Sequence, residues 1–122
     1  MASVPTVDID AILKPISGDK PCGVDPRDGL SFELLKEARR EEDAASQGDW
    51  KRDVKVADWS KAIQLATQIL ATEGKDLQVA DWLTEALVKR YGSGGLRDGL
   101  KILRELHEQY WDSFYPLVED GD

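Results

Sequence analysis

Asp58-Trp59-Ser60-Lys61-Ala62-Ile63-Gln64-Leu65-Ala66-Thr67-Gln68-Ile69-Leu70-Ala71-Thr72-Glu73-Gly74 carries the most regular pattern in the chain. Trp59, Ala62, Ile63, Ala66, Ile69 and Leu70 recur at i, i+3, i+4, i+7, i+10 and i+11, which gathers apolar side chains on one face of an α-helix. Asp58 stands where an N-cap belongs, with a carboxylate able to accept from backbone N–H groups that the first turn leaves without partners. Gly74 closes the segment, and Asp76 is placed to cap a following helix with apolar positions Leu77, Ala80, Leu83, Leu87 and Tyr91. That helix is expected to stop at Gly92-Ser93-Gly94-Gly95, read as a glycine C-cap and a tight interhelical turn. A last helix shows Leu96, Leu100, Leu103, Leu106, Tyr110, Trp111 and Phe114 before Pro116, and its aromatic end is expected to anchor the domain.

Toward the N-terminus the pattern is broken. A short first helix is expected over Asp8 to Leu13, with Ile9, Ile12 and Leu13 on one face and Pro15 stopping it. Residues 15–29 then hold three prolines and three glycines, which forbid both a helix and a central strand. So long an irregular segment should be packed down by its own apolar members, Ile16, Cys22 and Val24. A further helix is expected from Leu30 to Ser46, its stripe of Phe32, Leu35 and Ala38 fading into Arg39-Arg40-Glu41-Glu42-Asp43, so that its last turns project into solvent. No window alternates with period two for long enough to make a half-buried strand. Short links between the last three helices make them antiparallel neighbours. The expected fold is all-α, a compact bundle of about five helices with a long Pro/Gly-rich loop after a short first helix.

A length of 122 residues suits one domain. Sixteen Lys and Arg against 24 Asp and Glu give a net charge of −8. An acidic chain has no surplus for neutralising phosphates, so nucleic acid is not an expected partner. Apolar residues at 41% and charged residues at 33% are the balance of a globular protein. Cys22 is the only cysteine, which excludes an intramolecular disulfide and a thiolate zinc cluster. No apolar run approaches the ~20 residues of a membrane span, and Met1-Ala2-Ser3-Val4-Pro5 is not a signal peptide. A cytoplasmic location is expected.

The residues that could carry chemistry do not converge. The Gly92–Gly95 stretch follows a helix rather than a strand and lacks the lysine of a phosphate-cradling loop. His107 has no partner histidine at ligand spacing and sits on a charged helix face with Arg104 and Glu108. Cys22, between Pro21 and Gly23, reads as a small buried hydrophobe. Asp25 and Asp28 precede Pro26 and Gly29 as turn-formers and do not follow a calcium-loop spacing. No catalytic residue, metal site, cofactor or small-molecule substrate is expected.

Tryptophan is more informative. Trp59, Trp82 and Trp111 fall on or beside helical stripes. Trp50 lies between Asp49 and Lys51-Arg52 in a polar loop, which suits either an exposed interface anchor or a lid folded over the third helix. Trp50, Lys51 and Arg52 are therefore the candidate partner-binding residues, and Asp58 and Asp76 the candidate structural caps.

Several stretches together resemble one family. Pro15-Ile16-Ser17-Gly18 followed by Pro21-Cys22-Gly23-Val24-Asp25 is similar to its N-terminal signature. So are Asp58-Trp59 opening a helix, Gly74-Lys75-Asp76-Leu77 running on to Trp82-Leu83-Thr84-Glu85-Ala86-Leu87, Gly92 to Leu100, and Tyr110-Trp111-Asp112-Ser113-Phe114-Tyr115-Pro116. This order resembles the ImpA-type N-terminal domain of the TssA proteins of bacterial type VI secretion systems. The resemblance implies a non-enzymatic part of a contractile injection machine, with baseplate, tube or sheath proteins as partners at an inner-membrane-associated apparatus. It further implies a single domain over residues 1–122, excised from a longer protein that oligomerises through a C-terminal part. The isolated domain would then be monomeric or weakly dimeric. A docking module should display at least one apolar surface patch, whereas a pure spacer within a ring or cap should be evenly polar.

Overall fold

The computed structural model describes residues 4–16, 18, 20–40 and 56–116. Five α-helices make up the described fold: α1 (Ile9–Leu13), α2 (Leu30–Arg39), α3 (Trp59–Gln68), α4 (Leu77–Tyr91) and α5 (Ser93–Tyr110). A 3₁₀ turn, Pro26–Asp28, precedes α2, and a π-helical turn, Ile69–Glu73, prolongs α3. The architecture is all-α, and among the described residues backbone pairing outside helices is limited to isolated bridges. From α2 onward each helix packs on the next in chain order, and α1 bridges α5 and the π turn.

The stripe beginning at Trp59 forms the spine of the core. Ala62, Ala66, Ile69 and Leu70 meet Phe32, Leu35 and Ala38 of α2 and Val79, Ala80, Leu83, Ala86 and Leu87 of α4. Fully burying one such leucine or isoleucine stabilises the fold by about 1.5–3 kcal/mol, so this face dominates the energetics. The carboxylate of Asp58 accepts from the Lys61 N–H at 3.0 Å, and its own backbone N–H donates to Ala38 O at 2.7 Å. The N-terminus of α3 is thereby fastened to the C-terminus of α2.

That fastening accounts for the first departure from the sequence reading. α2 ends at Arg39 rather than Ser46, with Arg40 already extended (φ −72°, ψ 135°). A carbonyl near the end of α2 is taken by the Asp58 amide, and the apolar stripe has run out at Ala38. The rest of the expected helix, and the loop with Trp50, lie outside the described residues.

The second departure is at the glycines. The link between α4 and α5 is Gly92 alone, at φ 65°, and Ser93, Gly94 and Gly95 belong to the first turn of α5. A Cβ on Gly95 would stand 2.0 Å from Leu87 O, so the absence of a side chain there lets α5 lie directly against the backbone of α4.

Third, α5 is rotated from the face its leucines suggested. Gly95, Asp98, Gly99, Ile102, Leu106 and Tyr110 are buried, whereas Leu96, Leu100 and Trp111 face solvent. Trp111 is thus no core anchor. Val24 is exposed as well. The Pro/Gly-rich segment is held by its backbone and by buried Cys22 rather than by a Val24 side chain.

Candidate functional site

The link between α3 and α4, Gly74-Lys75-Asp76, runs extended through the molecule with backbone partners on both edges. On one side Val24 N–H donates to Glu73 O (2.9 Å) and Lys75 N–H to Cys22 O (2.8 Å); on the other, Tyr115 N–H donates to Lys75 O (2.7 Å) and Leu77 N–H to Tyr115 O (2.8 Å). Gly23 and Gly74 face each other at the bridge. A Cβ on Gly74 would meet Val24 O at 1.9 Å, and one on Gly23 would meet Glu73 O at 2.2 Å. The close approach of the two strands of chain requires glycine at both positions.

Lys75 is fully buried. Its Nζ donates to Leu70 O at 2.7 Å and to Ile12 O, and lies 5.8 Å from the Tyr110 ring. These acceptors are carbonyls near the ends of α1 and α3, the negative ends of those helices. Burial pushes the Lys75 ammonium down to about 8, with the Cys22 thiol acting in the opposite direction. Tyr110 Oη donates to Leu13 O at 2.6 Å, so α1 is tied to the core at two successive carbonyls.

Asp76 is equally buried. Its Oδ1 accepts from Val79 N–H at 3.1 Å, capping α4, and from Arg27 Nη2 at 3.3 Å. Oδ2 makes a charge contact with Arg27 Nη1 at 2.5 Å without an aligned hydrogen bond. Burial raises the Asp76 carboxyl, against the Val79 amide and the Arg27 guanidinium, which lower it. Both charged residues of the motif therefore act inside the fold, one tethering α1 and one starting α4.

A second polar cluster secures the N-terminal segment. Asp98 Oδ2 accepts from both the backbone N–H and the hydroxyl of Thr6, each at 2.6 Å, and Oδ1 accepts from Arg97 Nε at 2.9 Å. Burial pushes the Asp98 carboxyl up, but the hydrogen bonds from Arg97 and Thr6 outweigh it and hold the group down at about 2. Cys22 is buried with its Sγ 3.3 Å from Ser113 Oγ. His107 Nδ1 donates to Leu103 O at 2.8 Å and its ring meets Phe114 edge-on, while Arg104 pairs with Glu105 at 3.1 Å instead of Glu108. Among the described residues no group of three or more His, Cys, Asp and Glu is arranged to hold a metal ion, and no helix is long and apolar enough to cross a membrane.

The exposed feature is on α5. Leu96, Leu100 and Leu103 follow one another at i, i+4 and i+7, and Trp111 continues the line beyond the helix end. Leu100 is 54% exposed and Trp111 71%, while Leu103 is half-buried. On α4, Val88 and Tyr91 are also exposed. Gly95 sits against Leu87 and Val88, and Gly99 against Thr84, which fixes the register of the antiparallel pair and sets Val88 beside the Leu96 end of the stripe. α5 therefore has two apolar faces, one in the core and one outside it.

The sequence reading missed this surface because it assigned every leucine of α5 to the core. The available signal was the arc itself: the line 96, 100, 103 and the line 95, 99, 102, 106 are separate stripes, too wide together for one buried face. Of the residues singled out in advance, Trp50, Lys51 and Arg52 lie outside the described residues, and Asp58 and Asp76 stand at helix N-termini with the geometry given above.

Fold and surface together define a small helical-bundle domain with its motif charges turned inward and one apolar helix face turned outward. Residues 13–122 match the family described as ImpA, N-terminal, type VI secretion system, and the chain belongs to that family. It is 34% identical over 116 residues to the type VI secretion system component TssA1 of Pseudomonas aeruginosa, covering 95% of this chain and 33% of that protein. It also superposes with a TM-score of 0.78 and 34% identity on an N-terminal domain that includes the conserved ImpA_N region of the TssA component from Burkholderia cenocepacia, across 99% of this chain and 46% of that one. The chain thus spans about a third of the TssA1 relative and under half of the solved one.

Proposed function

We propose that this domain is a non-enzymatic docking module of a TssA-type component, meeting baseplate, tube or sheath proteins while a type VI apparatus assembles in the cytoplasm. The observation that supports this reading is the second apolar face of α5. A spacer that touches nothing gains no stability from exposed Leu96, Leu100 and Trp111, whereas a docking domain needs apolar area to remove from water. The inward commitment of Lys75, Asp76 and Asp98 favours binding over catalysis, since these charges are occupied by structural partners. Trp50, with Lys51 and Arg52, is kept as a second contact region on the strength of its residue types.

The test is pairwise binding of the purified 122-residue chain to individually purified baseplate, tube and sheath proteins, read by biolayer interferometry. Binding to at least one supports the docking reading, and binding to none favours the spacer. Trp50→Ala is expected to leave the melting temperature nearly unchanged while weakening that binding; a large fall in melting temperature would instead assign Trp50 to the core.

A further inference from the structure

Resting on the docking reading, we propose that the outer face of α4 and α5 receives an acidic amphipathic helix from a partner protein. Two observations combine. The apolar line Leu96, Leu100 and Leu103, with Val88 and Tyr91 alongside, has the i, i+4, i+7 spacing that accepts the ridge of another helix. The charge around it opposes that of the whole chain. Residues 88–104 hold five cations, Lys89, Arg90, Arg97, Lys101 and Arg104, and one acid, Asp98, whereas the full chain carries −8. That single acid is buried and bonded to Thr6 and Arg97, so the rim presents mainly positive charge.

The occupant follows from this complementarity. A symmetric pairing with a second copy would set Arg97 and Arg104 close to their own equivalents, a like-charge arrangement that costs stability. An acidic helix removes the same leucines from water while its carboxylates meet the arginines, and Arg forks hold carboxylates well. Apolar anchors would supply most of the affinity, and the rim would set the association rate and its salt dependence.

The experiment uses the full 122-residue chain and a synthetic helix-forming peptide with leucines at i, i+4 and i+7 flanked by glutamates. A twin peptide carries lysines in place of the glutamates. The acidic peptide is expected to bind at least about tenfold more tightly than its twin, with affinity falling as salt is raised. Leu100→Asp should weaken it by about tenfold or more, as should Lys101→Glu combined with Arg104→Glu. Leu30→Asp, on the exposed start of α2, should not. All four substituted residues are exposed, so thermal melts should match the parent.

Equal binding of the two peptides, or no effect of Leu100→Asp, would overturn the proposal. So would a dimer in sedimentation that Leu100→Asp dissolves, or binding to anionic phosphatidylserine vesicles without binding to the acidic peptide. The panel of secretion proteins separates this proposal from the reading beneath it. A panel protein bound equally by the parent and Leu100→Asp refutes the α4–α5 face and leaves docking standing, while a panel with no binder refutes docking itself.

Discussion

Replacing Lys75 by methionine keeps the length and apolar stem of the side chain but removes the ammonium that reaches Ile12 O and Leu70 O. In the folded protein burial holds this group at about 8, against an ordinary value of 10.5. The folded state therefore binds fewer protons than the unfolded chain between those two values, and stability from this group rises with pH across that window. At low pH the full cost of the buried charge is present. Above it the neutral amine still has N–H donors for both carbonyls and carries no charge to desolvate. Integrated from about pH 7 to about pH 10, the gain is roughly 2–3 kcal/mol. Lys75→Met lacks this slope and leaves two buried carbonyls without donors, at about 1–3 kcal/mol each. The variant should thus be destabilised relative to the parent, and increasingly so as pH rises. Urea unfolding followed by tryptophan fluorescence at several pH values measures both effects. A constant difference between parent and variant across that range would refute the buried-ammonium reasoning.

Other consequences can be checked in the same way. The Asp98 carboxyl lies lower in the folded protein than in the unfolded chain, so its contribution, on the order of 2 kcal/mol, is present in full above about pH 4 and lost as pH falls toward about 2; Asp98→Asn should lack that acid slope in urea melts. Gly95→Ala would drive a Cβ against Leu87 O and should cost about 2–3 kcal/mol. By contrast, the neighbouring Gly94→Ala has room, its nearest neighbour being Thr6 Cγ2 at 3.8 Å, and should stabilise by up to about 1 kcal/mol. Chemical denaturation decides the pair, and equal effects would contradict the helix-contact assignment. Asp58→Ala, at an exposed cap, should cost about 1 kcal/mol, and Asp76→Ala roughly twice that, because it also removes the charge facing Arg27. Equal losses would make Asp76 a cap and nothing more.

The helices were legible where one apolar stripe met one buried face. Trp59 to Leu70 and Leu77 to Leu87 sit in the core at the spacing read from the sequence. Legibility failed where a residue's role depended on a distant part of the chain. The end of α2 is set by an amide from Asp58, and the need for glycine at 23 and 74 arises from a crossing of two segments about fifty residues apart in sequence. Lys75 illustrates the same point, since its residue type suggests a surface and only the converging ends of α1 and α3 make its burial tolerable. On α5 the difficulty was excess. Its leucines outnumber what a single core face can accept, and the glycines, which carry no hydropathy signal, decide which stripe turns inward. The candidate surface was thus written in the sequence as a surplus of apolar residues, while its direction was not.

The most direct test of docking through this face is an amide chemical-shift map of the labelled 122-residue chain, titrated with whichever baseplate, tube or sheath protein it binds. Docking through α4 and α5 predicts shifts concentrated between Val88 and Leu103, with those amides unresponsive in Leu100→Asp. Shifts confined to α2 and α3, with α5 unperturbed at saturation, would contradict it.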